Sequence, residues 1–171
     1  QTQSITRRKW FEPVAANATP MGDALQQAAA LLRLWVAQHP DSFPPIVINI
    51  SDGESTDLCG SALLDAANAL KNIHTSAGRV LLFNCHLGDG AGSACRFPRD
   101  KSELPADEHA QEMLEMSSLL PLIFNGSIAS VMGIEIEPSE RRYAMLFNAN
   151  SQDIAKMLQI GTSQAQALQQ L

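Results

Sequence analysis

The sequence is poor in basic and aromatic residues, and it contains no long uninterrupted apolar stretch. Twelve Lys and Arg residues stand against eighteen Asp and Glu residues, so the net charge is −6 at neutral pH. An acidic chain without a basic run lacks the charge that dominates nucleic-acid binding, and we expect no nucleic-acid partner. No apolar run approaches the roughly 20 residues that a membrane helix needs, so we expect no membrane association.

Cysteine is also scarce, with three residues at irregular spacing: Cys59, Cys85 and Cys95. An odd number without a CxxC motif favours neither a disulfide framework nor a zinc site. Cys85 ends an apolar run and is expected to be a buried core thiol. Because the chain shows no signal-peptide pattern, we expect a cytoplasmic location.

Amphipathic helical patterns alternate with short apolar, β-branched runs along the chain. Such alternation predicts an α/β fold, Rossmann-like and three-layered, with a mainly parallel sheet between helices. The predicted helices cover 19–39, 61–74, 106–118, 121–132 and 151–160, and the predicted strands cover 46–50, 80–85 and 143–147. In such sheets functional loops follow the carboxyl ends of strands, which predicts Asp52, His86 and Asn148 on one rim.

Two residues near this rim offer oxygen ligands for a hard divalent cation. Thr19 precedes the first helix, and Asp52-Gly53-Glu54 follows the most apolar strand. A hydroxyl and a carboxylate suit Mg²⁺, which prefers oxygen ligands and keeps several waters. The alternative, that Thr19 is only a helix cap and Asp52-Gly53 only a turn, stays open at this point.

The stretches 18–25 and 45–57 resemble a bacterial von Willebrand factor type A domain, and 81–86 and 147–150 resemble later strands of an intracellular branch of that family. The similarity extends over residues 10–162. The resemblance implies a metal-ion-dependent adhesion site, in which Thr19 would be the hydroxyl ligand and Asp52 the carboxylate ligand. This site would hold Mg²⁺, Mn²⁺ or Ca²⁺ weakly. Ser51, Gly53 and Glu54 would surround the two ligands without binding the metal themselves.

The family's D-x-S-x-S loop does not occur in this sequence, and only 18 residues precede Thr19. We therefore expect residues 1–171 to form one partial domain that lacks its N-terminal strands, with 162–171 as a helical or frayed tail. The strand that would pair with Ile46–Ile50 is then absent. That leaves an apolar open edge at which another chain could pair.

The resemblance implies a protein-binding module rather than an enzyme, because a partner's carboxylate would bind the metal and no bond would break. Two alternatives stay open. One is a Mg²⁺-dependent hydrolase that uses Asp52, Glu54, Cys85 and His86, although GxGxxG, Walker and GxSxG motifs do not occur. The other is a structural subunit with an inactive metal site.

Several further side chains are expected to have structural roles. Thr19 is expected to cap the first helix, and Trp35 to lie in the core on the apolar stripe of that helix. His74 is expected in the last turn of the second helix. His39 and His109 are expected at the surface.

Overall fold

The computed structural model describes residues 18–88 and 92–168, with side chains of the last helix described as far as Ser163. Predictions for the segments 1–17 and 169–171 lie outside the described residues. The elements are α1 (Met21–Gln38), β1 (Ile46–Ser51), α2 (Ser61–Lys71), β2 (His74–Thr75), β3 (Gly78–Arg79), β4 (Leu81–Leu87), β5 (Cys95–Arg96), α3 (Glu108–Met116), α4 (Asn125–Met132), β6 (Met145–Ala149) and α5 (Ser151–Leu168), with 3₁₀ turns at Lys101–Glu103 and Leu122–Phe124.

The main sheet has four strands in the order β1-β4-β6-β5. β1 pairs parallel to β4, with Ser51 opposite His86, and β4 pairs parallel to β6, with Cys85 opposite Leu146. The register between β4 and β6 shifts between Cys85 and Leu87. β5 is antiparallel to β6 at the far edge. The predicted α/β class with a mainly parallel sheet is therefore confirmed.

Helices cover both faces of this sheet, because side chains of successive strand residues point to opposite faces. Leu82 packs with α1 and α2, whereas its neighbour Phe83 packs with α4 and α5. On β6, Leu146 joins the α4 and α5 side, while Met145 and Phe147 pack against α3. Full burial of each such side chain contributes about 1.5–3 kcal/mol. The predicted three-layer arrangement follows from this alternation.

β1 is the edge strand on the other side of the sheet. It pairs with β4, and no other strand in 18–88 or 92–168 pairs with it. The edge is apolar, with Ile50 43% exposed. Within the described residues β1 therefore has one unpaired edge, and both the absence of the N-terminal strands and the pairing of another chain at this edge stay predictions.

The end of the last helix was predicted wrongly. α5 does not stop at Gly161 but continues to Leu168, so the described part of the predicted tail is helical. Gly161 is buried, and a Cβ on it would lie 3.8 Å from Ile46 and 3.9 Å from Ile48. The packing of α5 against the core outweighs the poor helix propensity of this glycine, so the helix continues through it.

Other local predictions also need correction. Trp35 is 40% exposed, since the inward stripe of α1 runs through Leu25, Ala29 and Leu32, and Trp35 lies beside it. His74 lies in the short strand β2, because α2 already ends at Lys71. Between β4 and α3, where no element was predicted, the chain forms β5 and a 3₁₀ turn. Among the described helices, none is long and apolar enough to cross a membrane.

Candidate functional site

The carboxyl ends of β1, β4 and β6 form a polar rim, as predicted. Asp52, His86 and Asn148 line one cavity of about 490 Å³, together with Leu87 and Gly88. The three polar residues come from three strand ends that parallel pairing brings to one edge. Their predicted juxtaposition is therefore confirmed.

Thr19 and Asp52 line a second cavity, of about 290 Å³, beside the first. The Thr19 hydroxyl lies 3.8 Å from the position that a Cβ on Gly53 would occupy, so the turn that carries Asp52 lies against Thr19. Asp52 is exposed, and its carboxylate accepts no hydrogen bond within the described part of the chain. The two predicted ligands are therefore neighbours, and the Asp52 carboxylate is open to a ligand.

Three further residues of the predicted site have different environments. The Ser51 hydroxyl donates to the carbonyl of Gly53 at 2.7 Å and accepts from its N–H at 3.2 Å. These bonds close the turn that carries Asp52. Glu54 is exposed. Ser51 and Gly53 thus shape the turn through their mutual bonds, and Glu54 faces solvent.

The loop after β1 is fastened to the start of α1. The Thr19 N–H donates to the Thr56 hydroxyl, and the Thr56 N–H donates to the Thr19 carbonyl, both at 2.9 Å. The N–H groups of Gly22 and Asp23 donate to the carboxylate of Asp57 at 3.0 and 2.7 Å. These four bonds fasten residues 56 and 57 of the loop that carries Asp52 to the start of α1, where Thr19 lies.

Asp57 therefore caps the first turn of α1, which is the role predicted for Thr19. The N-cap of α1 is Pro20, whose side chain makes no cap hydrogen bond, so the predicted Thr19 cap is wrong. Sequence reasoning missed Asp57 because it lies more than 30 residues from the N–H groups that it caps. Desolvation raises the pKa of Asp57, but the bonds from Asp23, Gly22 and Ser55 outweigh it, and the pKa falls from 3.8 to about 2.

We call this part of the rim, Thr19 with residues 51–58, the Asp52 side. The other part, the His86 side, consists of His86, His109, Phe147 and Asn148. On it, the His86 ring stacks on Phe147 at a centroid distance of 4.5 Å. His109 meets His86 edge-on at 5.3 Å. His109 is partly buried, not a surface residue as predicted, because it shares a face of α3 with buried Met113.

A close backbone approach shapes the end of β6. Asn148 has a φ of +51°, a conformation that a non-glycine residue seldom adopts. Its side chain donates to the Ser93 carbonyl at 3.1 Å. A Cβ on Gly88 would lie 2.8 Å from the Asn148 Cα, so only glycine fits there. Strain of this kind often occurs where structure supports a functional position.

The thiol near the rim does not suit nucleophilic chemistry. Cys85 is fully buried, as predicted, and burial followed by the charge of Asp153 raises its pKa to about 11. A thiol with that pKa stays protonated at neutral pH. Cys59, Cys85 and Cys95 are all free thiols.

The donor set determines which metal the rim could hold. Among the described residues, no group of three or more His, Cys, Asp or Glu side chains is placed to hold a metal ion. Thr19 and Asp52 instead offer one hydroxyl and one carboxylate, which fit a hard cation that retains several waters. The residues present therefore fit a weakly held Mg²⁺ and do not fit a closed metal cage.

Comparisons with known proteins identify no relative of this chain. No protein-family model, no curated protein and no solved structure matches it.

Proposed function

We propose that the Asp52 side of the rim is a divalent-metal-dependent protein-binding site, resembling the adhesion site of von Willebrand factor type A domains. In this proposal Thr19 and Asp52 are the protein's ligands for Mg²⁺, or for Mn²⁺ or Ca²⁺. The occupant of the open coordination position is a carboxylate of a partner protein. No bond is made or broken, so the protein acts by binding rather than by catalysis.

The observation that carries the proposal is that Thr19 and Asp52 line one cavity although 33 positions separate them in the sequence. The bonds between Thr19 and Thr56 and those from α1 to Asp57 support it further. A site fixed before its ligand arrives loses less entropy on binding. An isolated turn would need none of these long-range bonds.

The chemistry assigned to the site is electrostatic. A divalent cation would supply the positive charge that lets an acidic partner bind an acidic protein. Asp52 would hold that cation by its charge, and the Thr19 hydroxyl would fix its position. Because one carboxylate and one hydroxyl leave most positions to water, we expect affinity on the order of millimolar.

The test is a Mn²⁺ titration of the native chain, followed by the relaxation of water protons. We expect weak saturable binding that Asp52→Asn reduces at least tenfold, because the ligand charge is lost. Thr19→Val, which keeps the side-chain shape without the hydroxyl, should reduce it severalfold. Glu135→Gln is the matched control, since it removes one exposed carboxylate from the loop after α4.

Three results would contradict the proposal, and the first two each favour a different alternative. Absence of binding by the native chain would favour a structural subunit with an inactive site. Metal-dependent turnover of a phosphate ester, lost in Asp52→Asn, would favour the hydrolase. Binding that Asp52→Asn and Glu135→Gln reduce equally would show that Asp52 is no ligand.

A further inference from the structure

The two histidines on the His86 side have buried ring nitrogens that no described residue binds. His86 Nδ1 and both ring nitrogens of His109 are buried and make no hydrogen bond to a described residue. A neutral imidazole already leaves a donor or an acceptor unsatisfied in such a place. Protonation of His86 would add a charge to a ring whose Nδ1 has no acceptor within the described part of the chain. The packing of the cluster therefore favours the neutral form of His86.

The first turn of α3 fixes the position of His109. Asp107 is the N-cap of α3 and accepts a hydrogen bond from the Ala110 N–H at 2.9 Å, so His109 is the second residue of the helix. Its ring meets that of His86 edge-on at a centroid distance of 5.3 Å.

The groups that face His86 act on its pKa in both directions. Burial lowers the pKa most strongly, and His109 of α3 lowers it further. The negative charges of Asp107 of α3 and Asp52 after β1 raise it, as does a hydrogen bond with the Asn148 side chain at the end of β6. The Phe147 ring of β6, which stacks on His86, adds no charge. The net effect is a pKa below the usual value.

We propose that the contact between His86 and His109 is a proton-sensitive latch, which holds the first turn of α3 against β4 and β6 at neutral pH and releases it in mild acid. Because His86 also lines the rim cavity, release would change the shape of that cavity. This proposal does not depend on metal binding at Asp52.

The direction of the pH effect follows from proton binding. With its native pKa below the unfolded value near 6.5, His86 takes up a proton more readily in the unfolded chain. The stability linked to the latch is complete above about pH 6.5 and is lost as the pH falls below it. The carboxyl groups with lowered pKa values, those of Asp57, Glu103 and Asp153, take up protons only in stronger acid. Their effect on stability is therefore separate from that of His86.

The first experiment measures the urea midpoint at pH 7.5 and pH 5.5. We expect the midpoint of the native chain to fall, and His109→Phe to lessen that fall by half or more, because phenylalanine keeps a ring without nitrogens. His86→Phe should act similarly. His74→Gln, at an exposed histidine of β2, is the matched control and should leave the fall unchanged.

The second experiment uses the native chain alone, and so decides the question even where a variant fails to fold. Histidine ring signals in NMR should show His86 titrating below the usual value near 6.5. After correction for the intrinsic exchange rate, amides of 110–113 in α3 should exchange at least tenfold faster at pH 5.5 than at pH 7.5, with smaller change at 155–158 in α5. Titration of His86 at or above the usual value, or an acid fall preserved in both phenylalanine variants, would overturn the latch.

Discussion

The two sides of the rim lie next to each other and are held together by different forces. The Asp52 side is exposed and is fixed by hydrogen bonds between the loop after β1 and the start of α1. The His86 side is partly buried and is fixed by ring packing, with three ring nitrogens left without a partner among the described residues. The comparison shows that one edge can place an exposed carboxylate next to a packed cluster of rings.

The largest effect is expected on the His86 side. Phe147→Ala removes a ring that is 3% exposed and stacks on His86, and we expect the free energy of unfolding to fall by about 3–5 kcal/mol. Asp52→Asn, on the exposed side, should change it by no more than about 0.5 kcal/mol. Urea denaturation of both variants measures the contrast. Similar losses in the two variants would show that both sides depend on packing.

A smaller effect is expected where β4 and β6 end. Gly88→Ala places a Cβ 2.8 Å from the Asn148 Cα, and because backbone cannot move aside as a flexible side chain can, we expect a loss of about 1–3 kcal/mol. The matched control is Gly126→Ala in α4, where a Cβ meets nothing within 4 Å. That change should stabilise the chain by about 0.5–1 kcal/mol. Equal effects of the two substitutions in urea denaturation would refute the close approach at Gly88.

The smallest effect is expected at Asp57, on the Asp52 side. Asp57→Asn weakens the bonds to Gly22 and Asp23, and we expect the Tm at pH 7 to fall by about 2–5 °C. Because the native pKa of about 2 lies below 3.8, the charged carboxylate stabilises the fold above about pH 4 and loses this effect towards pH 2. The difference in Tm should therefore narrow at pH 2.5, as thermal unfolding followed by circular dichroism would show.

Asp65→Asn serves as the control for that measurement, since Asp65 is an exposed carboxylate on α2. Its Tm should follow that of the native chain at both pH values. If Asp65→Asn and Asp57→Asn behave alike, the cap on α1 is not what stabilises the Asp52 side.

Much of the fold could be predicted from sequence because its signals are local. The apolar run Ile46–Ile50 predicted a strand with its carboxyl end at the rim, and the positions of Asp52, His86 and Asn148 followed from the rule that such ends share one edge of a parallel sheet. The helix end at Gly161 was wrong because its closeness to β1 overrides local propensity. His109 was misplaced because its burial depends on Phe147, which no local pattern links to α3.

The sequence by itself determined the alternation of helices and strands, the buried character of Cys85 and the edge where polar side chains gather, since apolar periodicity sets all three. Only the tertiary structure decided that Asp57 caps α1 and that His86 and His109 share one buried cluster. Both depend on contacts between distant segments, which form because parallel pairing of β1, β4 and β6 brings their ends together.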